Sequence, residues 1–320
     1  MTAAPLNILV WHVHGSWMTS FVQGRHRYLV PKLPEGAPWG LGRAGRRWPD
    51  NAVEVTPAEL ADIDVDAVVL QRPAELHLAG RWLGRRLGTE VPAVYVEHNA
   101  PHGPAAATRH PLADRTDIPI VHVTHFNRMM WDCGSAFTTV VPHGVVDPGP
   151  LYSGEIPHAA TMINEPMRRT RVAGTDLLPT LATAAPIDVY GIGTELLAQG
   201  GGVVGHGDFG HDRLHAEVAR RRVYVHTARW TSLGLSLIEA MHLGMPVAVV
   251  AATEAAVSIP PEAGVVSNDI DVLTEAVRQF VLEPGSAMIA GKAARHAALT
   301  NFGLDAFVAN WDRVLAEVVR

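Results

Sequence analysis

One cysteine, Cys133, is all that 320 residues contain. An intrachain disulfide is therefore excluded, and cysteine usage gives no sign of an oxidising compartment. Long apolar runs are missing too. No stretch approaches the ~20 consecutive apolar residues that span a bilayer. The start, "MTAAPLNILVWHVHG", has no basic leader, and histidines interrupt its short apolar run; it reads as a first strand rather than a signal peptide. Positive charge is also scarce. With 26 Lys and Arg against 32 Asp and Glu the net charge is −6, which argues against global attraction to nucleic acid. The composition, 48% hydrophobic and 18% charged, leads to the expectation of a soluble cytoplasmic protein with one large or two ordinary domains.

What the sequence does have is a rhythm. Short apolar runs recur at "LNILV" (6–10), "DAVVL" (66–70), "PAVYVEHN" (92–99), "IPIVHVT" (118–124) and "TTVVPHGV" (138–145). Nearly continuous β-rich runs of this kind are what strands buried on both faces look like. Segments of helical composition lie between several of them, such as "ELHLAGRWLGRRLG" (75–88), and the alternation predicts a parallel α/β sheet. A loop-like stretch, "VVDPGPLYSGEIPHAA" (145–160), interrupts it. The rhythm then restarts, with strands predicted at 187–193, 222–228, 246–252 and 263–267 and helices at 211–221 and 236–244. Ile270, Leu273, Val277 and Phe280 fall on one face of a further helix, and the segment from 305 reads as a last amphipathic helix. Two α/β halves joined near residue 150 are expected, with ligands at the carboxyl ends of strands.

One carboxylate stands out. In "TSLGLSLIEAMHLGMPVAVV" (231–250), Glu239 sits between Ile238 and Ala240 in an otherwise apolar run, where it is costly without a partner. Gly234 would let backbone approach a ligand. The first-turn residues Leu235 and Ser236 would offer N–H groups to an anion. Glu239, about one turn on, could accept hydrogen bonds from a diol such as a ribose. It could equally cap a neighbouring helix or pair with an arginine.

The same stretch resembles the donor-site motif of family-4 retaining glycosyltransferases, in which Gly234, Leu235, Glu239, Ala240, Met241, Gly244, Pro246 and Val247 are in register. The resemblance implies that Glu239 binds the ribose of a sugar nucleotide. The family's first glutamate, a contact to the donor sugar, is replaced here by Thr231. "VVPHGVVDP" (140–148) resembles the segment that ends the family's first domain. "TMINEPMRRTRVAGTDLLPTL" (161–181) resembles the strand and helix that carry the arginine and lysine gripping the diphosphate. Those two positions hold Asn164 and Ala173, but Arg168, Arg169 and Arg171 lie nearby, and guanidinium groups grip phosphate bidentately. Arg169 and Arg171 are expected to be the catalytic phosphate ligands, with Arg168 as a donor contact. In the first half Gly15 and Ser16, opening the first helix, correspond to the family's glycine-rich loop, and His98 to a histidine near the donor sugar. His143 and His226 are expected to be structural.

The resemblance implies a GT-B fold: two Rossmann-like domains facing each other across a cleft, at 1–147 and 148–302, with a final helix (303–320) packing back on the first. It implies transfer of a glycosyl group from a nucleoside-diphosphate sugar to a small-molecule, lipid or glycan acceptor, with retention. Cations on the protein would serve the diphosphate, so no metal and no cofactor beyond the nucleotide sugar is expected. Two rival readings remain. One is a catalytically degenerate nucleotide-binding relative. The other is a metal-dependent amidohydrolase on an eight-fold barrel, using His12 and His14 of "HVH", which share one face of a strand, with His98 and His122. Finally, Arg43, Arg46 and Arg47 lie in a Gly-rich loop flanked by Trp39 and Trp48. They suggest a solvated, mobile loop, or else an acceptor platform or a peripheral contact with an anionic membrane.

Overall fold

The computed structural model describes residues 4–197 and 201–320. The chain divides into two compact units, Met1–Val146 with Leu304–Arg320, and Asp147–Gly303. In the first unit the strands are β1 (Asn7–Val10), β2 (Arg27–Pro31), β3 (Ala52–Val55), β4 (Ala67–Leu70), β5 (Ala93–Glu97), β6 (Ile120–His122) and β7 (Thr138–Val140). They form one sheet in the order β3-β2-β1-β4-β5-β6-β7, and every pair is parallel. Its helices before the second unit are α1 (Gly15–Phe21), α2 (Pro57–Leu60), α3 (Pro73–Leu83) and α4 (His125–Met130). Parallel strands need crossovers that cover both faces. Accordingly every residue of β4 and β5 is buried, and Leu9, Leu29, Val68, Leu70, Tyr95 and Ile120 share one core. Helix α3 shows how local chemistry sets the ends of an element. Pro73 opens it, Glu75 accepts the backbone N–H groups of Gln71 (2.6 Å) and Arg72 (3.1 Å), and Gly84 stops it with φ 61°.

The second unit has β8 (Ile156–Met162), β9 (Ile187–Tyr190), β10 (Val203–Gly205), β11 (Arg221–His226), β12 (Val247–Val250) and β13 (Gly264–Ser267). They run in the order β10-β9-β8-β11-β12-β13, again all parallel. Helices α5 (Thr170–Ala173), α6 (Leu178–Leu181), α7 (His211–Val218), α8 (Leu235–Leu243), α9 (Ala255–Ser258), α10 (Ile270–Leu282) and α11 (Pro284–Asn301) connect and cover them. Leu273, Val277 and Phe280 of α10 are buried, and Ile270 packs against the same core. The last helix, α12 (Leu304–Val318), belongs to the first unit. Trp311 packs edge-on against Trp17 (ring centroids 5.6 Å apart) and Phe21 (5.1 Å) of α1.

Several expectations need correction. The two open parallel sheets are not an eight-fold barrel, which removes the amidohydrolase architecture. The loop read as reaching residue 160 gives way to β8 at Ile156. The helix read as 75–88 stops at Leu83, because Gly84 takes the left-handed conformation. Among the described residues, no helix is long and apolar enough to cross a membrane. Each sheet has one point where strand order reverses, between β1 and β4 and between β8 and β11, and in open α/β sheets the carboxyl ends at such points hold ligands.

Candidate functional site

In the second unit, the residues after β8 (163–169) and after β11 (227–234) emerge side by side at the reversal point. They are tied together. The Arg229 N–H donates to the Val172 carbonyl (2.9 Å), and the Thr227 hydroxyl donates to the Ala173 carbonyl (2.8 Å). Gly174 makes this approach feasible. Its φ is 73°, and a Cβ there would stand 1.9 Å from the Thr227 carbonyl oxygen, so no other residue fits without moving the loop.

Helix α8 begins directly after the second of these segments. Gly234 is its N-cap and no side chain caps it, so the positive end of the helix, at Leu235 and Ser236, is left for an outside acceptor. Gly234 is itself packed under His226, whose Cε1 would lie 2.5 Å from a Cβ at that position. Burial holds the His226 imidazole down at about 4, which makes it a neutral packing group. Thr231 is partly buried on the loop before the helix. From Leu237 to Leu243 every residue of α8 is buried, Glu239 included, and Gly244 ends the helix with φ 91°.

Glu239 has partners that the sequence reading did not foresee. Helix α7 places His211 and His215 one turn apart. Nε2 of His211 stands 3.5 Å from Oε1 of Glu239, and Nε2 of His215 stands 3.5 Å from Oε2. Burial pushes the pKa of Glu239 up, and the two imidazoles more than offset it, holding the carboxyl well below the usual carboxylate range. The group is therefore ionised, and it is reached by nitrogen rather than by an arginine. The available signal was the i, i+4 histidine pair in "HDRLHAEVARR", since residues four apart share a helix face.

The three candidate arginines have different surroundings. Arg168 is exposed and paired with Glu165. Arg171 is exposed and bonded to Asp176 (2.7 Å), which also takes a two-pronged grip from Arg229 (2.6 and 3.0 Å). Arg169 is half-buried, and among the described residues no carboxylate or carbonyl is hydrogen-bonded to its guanidinium, although the Glu165 carboxylate attracts it. Burial, with Arg168 beside it, lowers its pKa. Asn164, at the expected arginine position, is occupied in accepting the Ile192 backbone N–H (3.0 Å).

In the first unit Gly15 and Ser16 open α1, as expected, and the Arg46 guanidinium fills the space over Gly15. His98 follows β5 and is buried. His14 lies against it (ring centroids 4.1 Å), Trp17 meets it edge-on (5.2 Å), and His143 is parallel to it at 6.4 Å. Burial, then His14 and His143, press the pKa of His98 well below the histidine range, while burial and His14 bring His143 to about 3. Both rings are therefore neutral hydrogen-bonding groups, and among the described residues His98 Nε2 and His143 Nδ1 have no hydrogen-bond partner.

Among the described residues His12 belongs to no group of three potential metal ligands. Its Nδ1 is bonded to the Gly42 carbonyl (2.8 Å), and among the described residues the one group of three potential metal ligands is His211, His215 and Glu239. Nor is the arginine loop loosely solvated. Arg43 bonds the Trp48 carbonyl, its N–H donates to Glu54 (2.8 Å), and the Trp48 indole donates to Thr19 (3.0 Å). Trp48 is buried and so offers no open stacking platform, and the Arg72 guanidinium lies over the ring of the partly exposed Trp39 at 4.3 Å. Cys133 is buried beside His122 (3.7 Å) with its thiol pushed up to about 11 by burial, unsuited to nucleophilic chemistry.

The family model of the glycosyl transferases group 1 matches residues 199–297, a span that holds His211, His215, Thr231, Gly234 and Glu239. No curated protein matches the chain. Among solved structures, sucrose-phosphate synthase of Thermosynechococcus elongatus is similar at 12% identity, covering 98% of each chain with a TM-score of 0.72. The HepE protein of Anabaena, in complex with UDP and glucose, is similar at 13% identity over 98% of this chain and 100% of its own, with a TM-score of 0.72. A glycosyltransferase of Rickettsia africae matches at 13% identity, 99% and 100% coverage and a TM-score of 0.70. Together with the two parallel sheets, these likenesses give the fold as GT-B.

Proposed function

We propose that the protein is a retaining glycosyltransferase. It would draw a glycosyl group from a nucleoside-diphosphate sugar held at the strand-order reversal of the second unit and pass it to a small-molecule, lipid or glycan acceptor. One observation carries this reading. A buried, ionised carboxylate, Glu239, lies just inside an uncapped, glycine-led helix N-terminus, within the segment that matches the glycosyl transferases group 1. Across the reversal point, the half-buried guanidinium of Arg169, with no side-chain hydrogen bond among the described residues, sits on the loop after β8.

In this reading Glu239 accepts the ribose hydroxyls, while the N–H groups of Leu235 and Ser236 and the Arg169 guanidinium receive the diphosphate. Arg171 and Arg168 reinforce the positive field from more exposed positions. The chemical task is to stabilise an oxocarbenium-like sugar together with a departing diphosphate. Fixed guanidinium and backbone charge meets the second need, so transfer is expected to proceed in EDTA. Attack on the face that the diphosphate leaves lets a departing phosphate oxygen take the acceptor's proton, which explains why no enzymic carboxylate nucleophile is required. Neutral His98, its Nε2 unpartnered, suits hydrogen bonding to a sugar hydroxyl, and the Thr231 hydroxyl replaces a carboxylate at the sugar end.

HepE is described with UDP and glucose, which makes UDP and UDP-glucose the first ligands to try, followed by GDP, ADP and TDP and their sugar conjugates. Calorimetry in EDTA should find one nucleotide that binds. Glu239→Ala should weaken it by about 1–3 kcal/mol, the usual result of leaving a buried polar group unpaired. An unchanged dissociation constant in a folded variant refutes the assignment. Binding without transfer to any acceptor would identify a nucleotide-binding protein without turnover.

A further inference from the structure

The two imidazole–carboxylate contacts around Glu239 are longer than ordinary hydrogen bonds. Hydrogen bonds from imidazole N–H to carboxylate close to about 2.7–3.2 Å, yet both histidines stop at 3.5 Å. The Nε2 of His211 is buried, and among the described residues no hydrogen bond satisfies it. Both rings come off one face of α7, four residues apart, with centroids 4.3 Å apart. One ligand atom from each of the three residues falls within 4.8 Å of the other two. For bonds of about 2.0–2.1 Å, the edge of a tetrahedron is about 3.3–3.4 Å, close to the 3.5 Å from each imidazole to its own carboxylate oxygen, Oε1 for His211 and Oε2 for His215.

We infer that His211, His215 and Glu239 form a binding site for a borderline divalent transition cation such as zinc, with a fourth position open to water or to a ligand. The donor set selects the class of ion. Two imidazoles and one carboxylate suit zinc and its neighbours in the first transition row. Magnesium and calcium require cages of oxygen.

A consequence rests on the reading of Glu239 as the ribose ligand. If the cation takes the same carboxylate oxygens, cation and nucleotide exclude each other, and the ion becomes an inhibitor of donor binding. It would act from a position distinct from the diphosphate, where a catalytic magnesium is normally found.

The test begins with protein stripped by EDTA and titrated calorimetrically with zinc chloride alone. The variants are His211→Ala, at a partly exposed position, and His215→Gln, which keeps a polar side chain at the buried one. Wild-type protein should take up one zinc per chain, and each variant should bind at least about tenfold more weakly, since even outer-shell changes at metal sites cost that much. Cobalt(II) should give the intense visible bands of a four-coordinate site in wild-type protein and lose them in both variants. No zinc uptake by wild type, or equal uptake by wild type and both variants, overturns the site. UDP is then titrated in EDTA and again with one equivalent of zinc. Loss of UDP binding in zinc supports exclusion; equal UDP affinity in both overturns exclusion while leaving the site to the metal titration. Failure of any nucleotide to bind in EDTA counts against the donor reading, and the zinc result is decided independently of it.

Discussion

Gly234 lies so closely under His226 that a β-carbon at residue 234 would stand 2.5 Å from the imidazole Cε1. That is below any ordinary contact, and the ring is buried, so it cannot swing away into solvent. Gly234→Ala should therefore cost about 1–3 kcal/mol, as overpacked positions do. It should also displace the first turn of α8. The expected result is a lowered midpoint for the second unit together with weakened nucleotide affinity. A variant of wild-type stability and affinity would show that the helix start tolerates the change.

The arginines should separate on substitution. Arg169→Ala removes a half-buried cation with no side-chain hydrogen bond among the described residues, so stability should hold or rise slightly. Donor affinity should fall by about 1.5–3 kcal/mol, the range for a charged hydrogen bond. Arg168→Ala removes an exposed pair with Glu165, and such pairs contribute about 0–1 kcal/mol. Arg171→Ala leaves Asp176 still held by Arg229. Calorimetric titration of the three variants should rank Arg169 first, and any other order contradicts the assignment of the phosphate ligand.

Acid should unfold the protein in a defined window. Burial lowers the pKa values of His122 and His143 to about 3 and of His226 to about 4, and takes His98 well below its ordinary value. The ordinary histidine value is about 6.5, so below that pH the unfolded chain binds protons that the folded chain refuses. The stability these neutral rings confer is complete above about pH 6.5. It is lost as pH falls toward the folded values, by about 1.4 kcal/mol per pH unit for each ring. Three of the four are in the first unit, so its denaturant midpoint should drop more steeply between pH 6.5 and 4.5 than that of the second. A flat or rising midpoint over that range would contradict the burial argument.

Helix α12 should prove integral to the first unit. Trp311 is buried against Trp17 and Phe21, and the neighbouring Asp312 meets Arg25 (3.0 Å) and His26 (3.1 Å). Trp311→Ala should cost about 3–5 kcal/mol, the usual range for a buried large aromatic. The loss should register in the unfolding of the first unit, with that of the second unchanged.

Much of the fold was legible because parallel strands buried on both faces spell themselves out as apolar runs, as in 66–70 and 246–252. The short strands were not. β2 ends in Pro31, β3 carries Glu54 bonded to Lys32 (2.6 Å), and β10 has three residues. None of these offers a run long enough to distinguish strand from loop. β8 hid behind Pro157 and His158. At the site, Glu239 was visible because a carboxylate is conspicuous in an apolar helix. Its histidines lie more than 20 residues upstream on another element, and only the fold brings them to it. Arg168, Arg169 and Arg171 are equivalent in a linear reading, and burial alone tells them apart.

The return of α12 to the first unit also sets an order of events during synthesis. Trp17 and Phe21 leave the ribosome roughly 290 residues before Trp311, the ring that covers them. At about 5–20 residues per second, that leaves their faces without Trp311 for roughly 15–60 s. The second unit, encoded without interruption from 147 to 303, can complete its core in that interval, whereas the first must wait for its last helix. Newly made chains should therefore depend on chaperones for their first-made half, and their second-made half should be the earlier to resist protease.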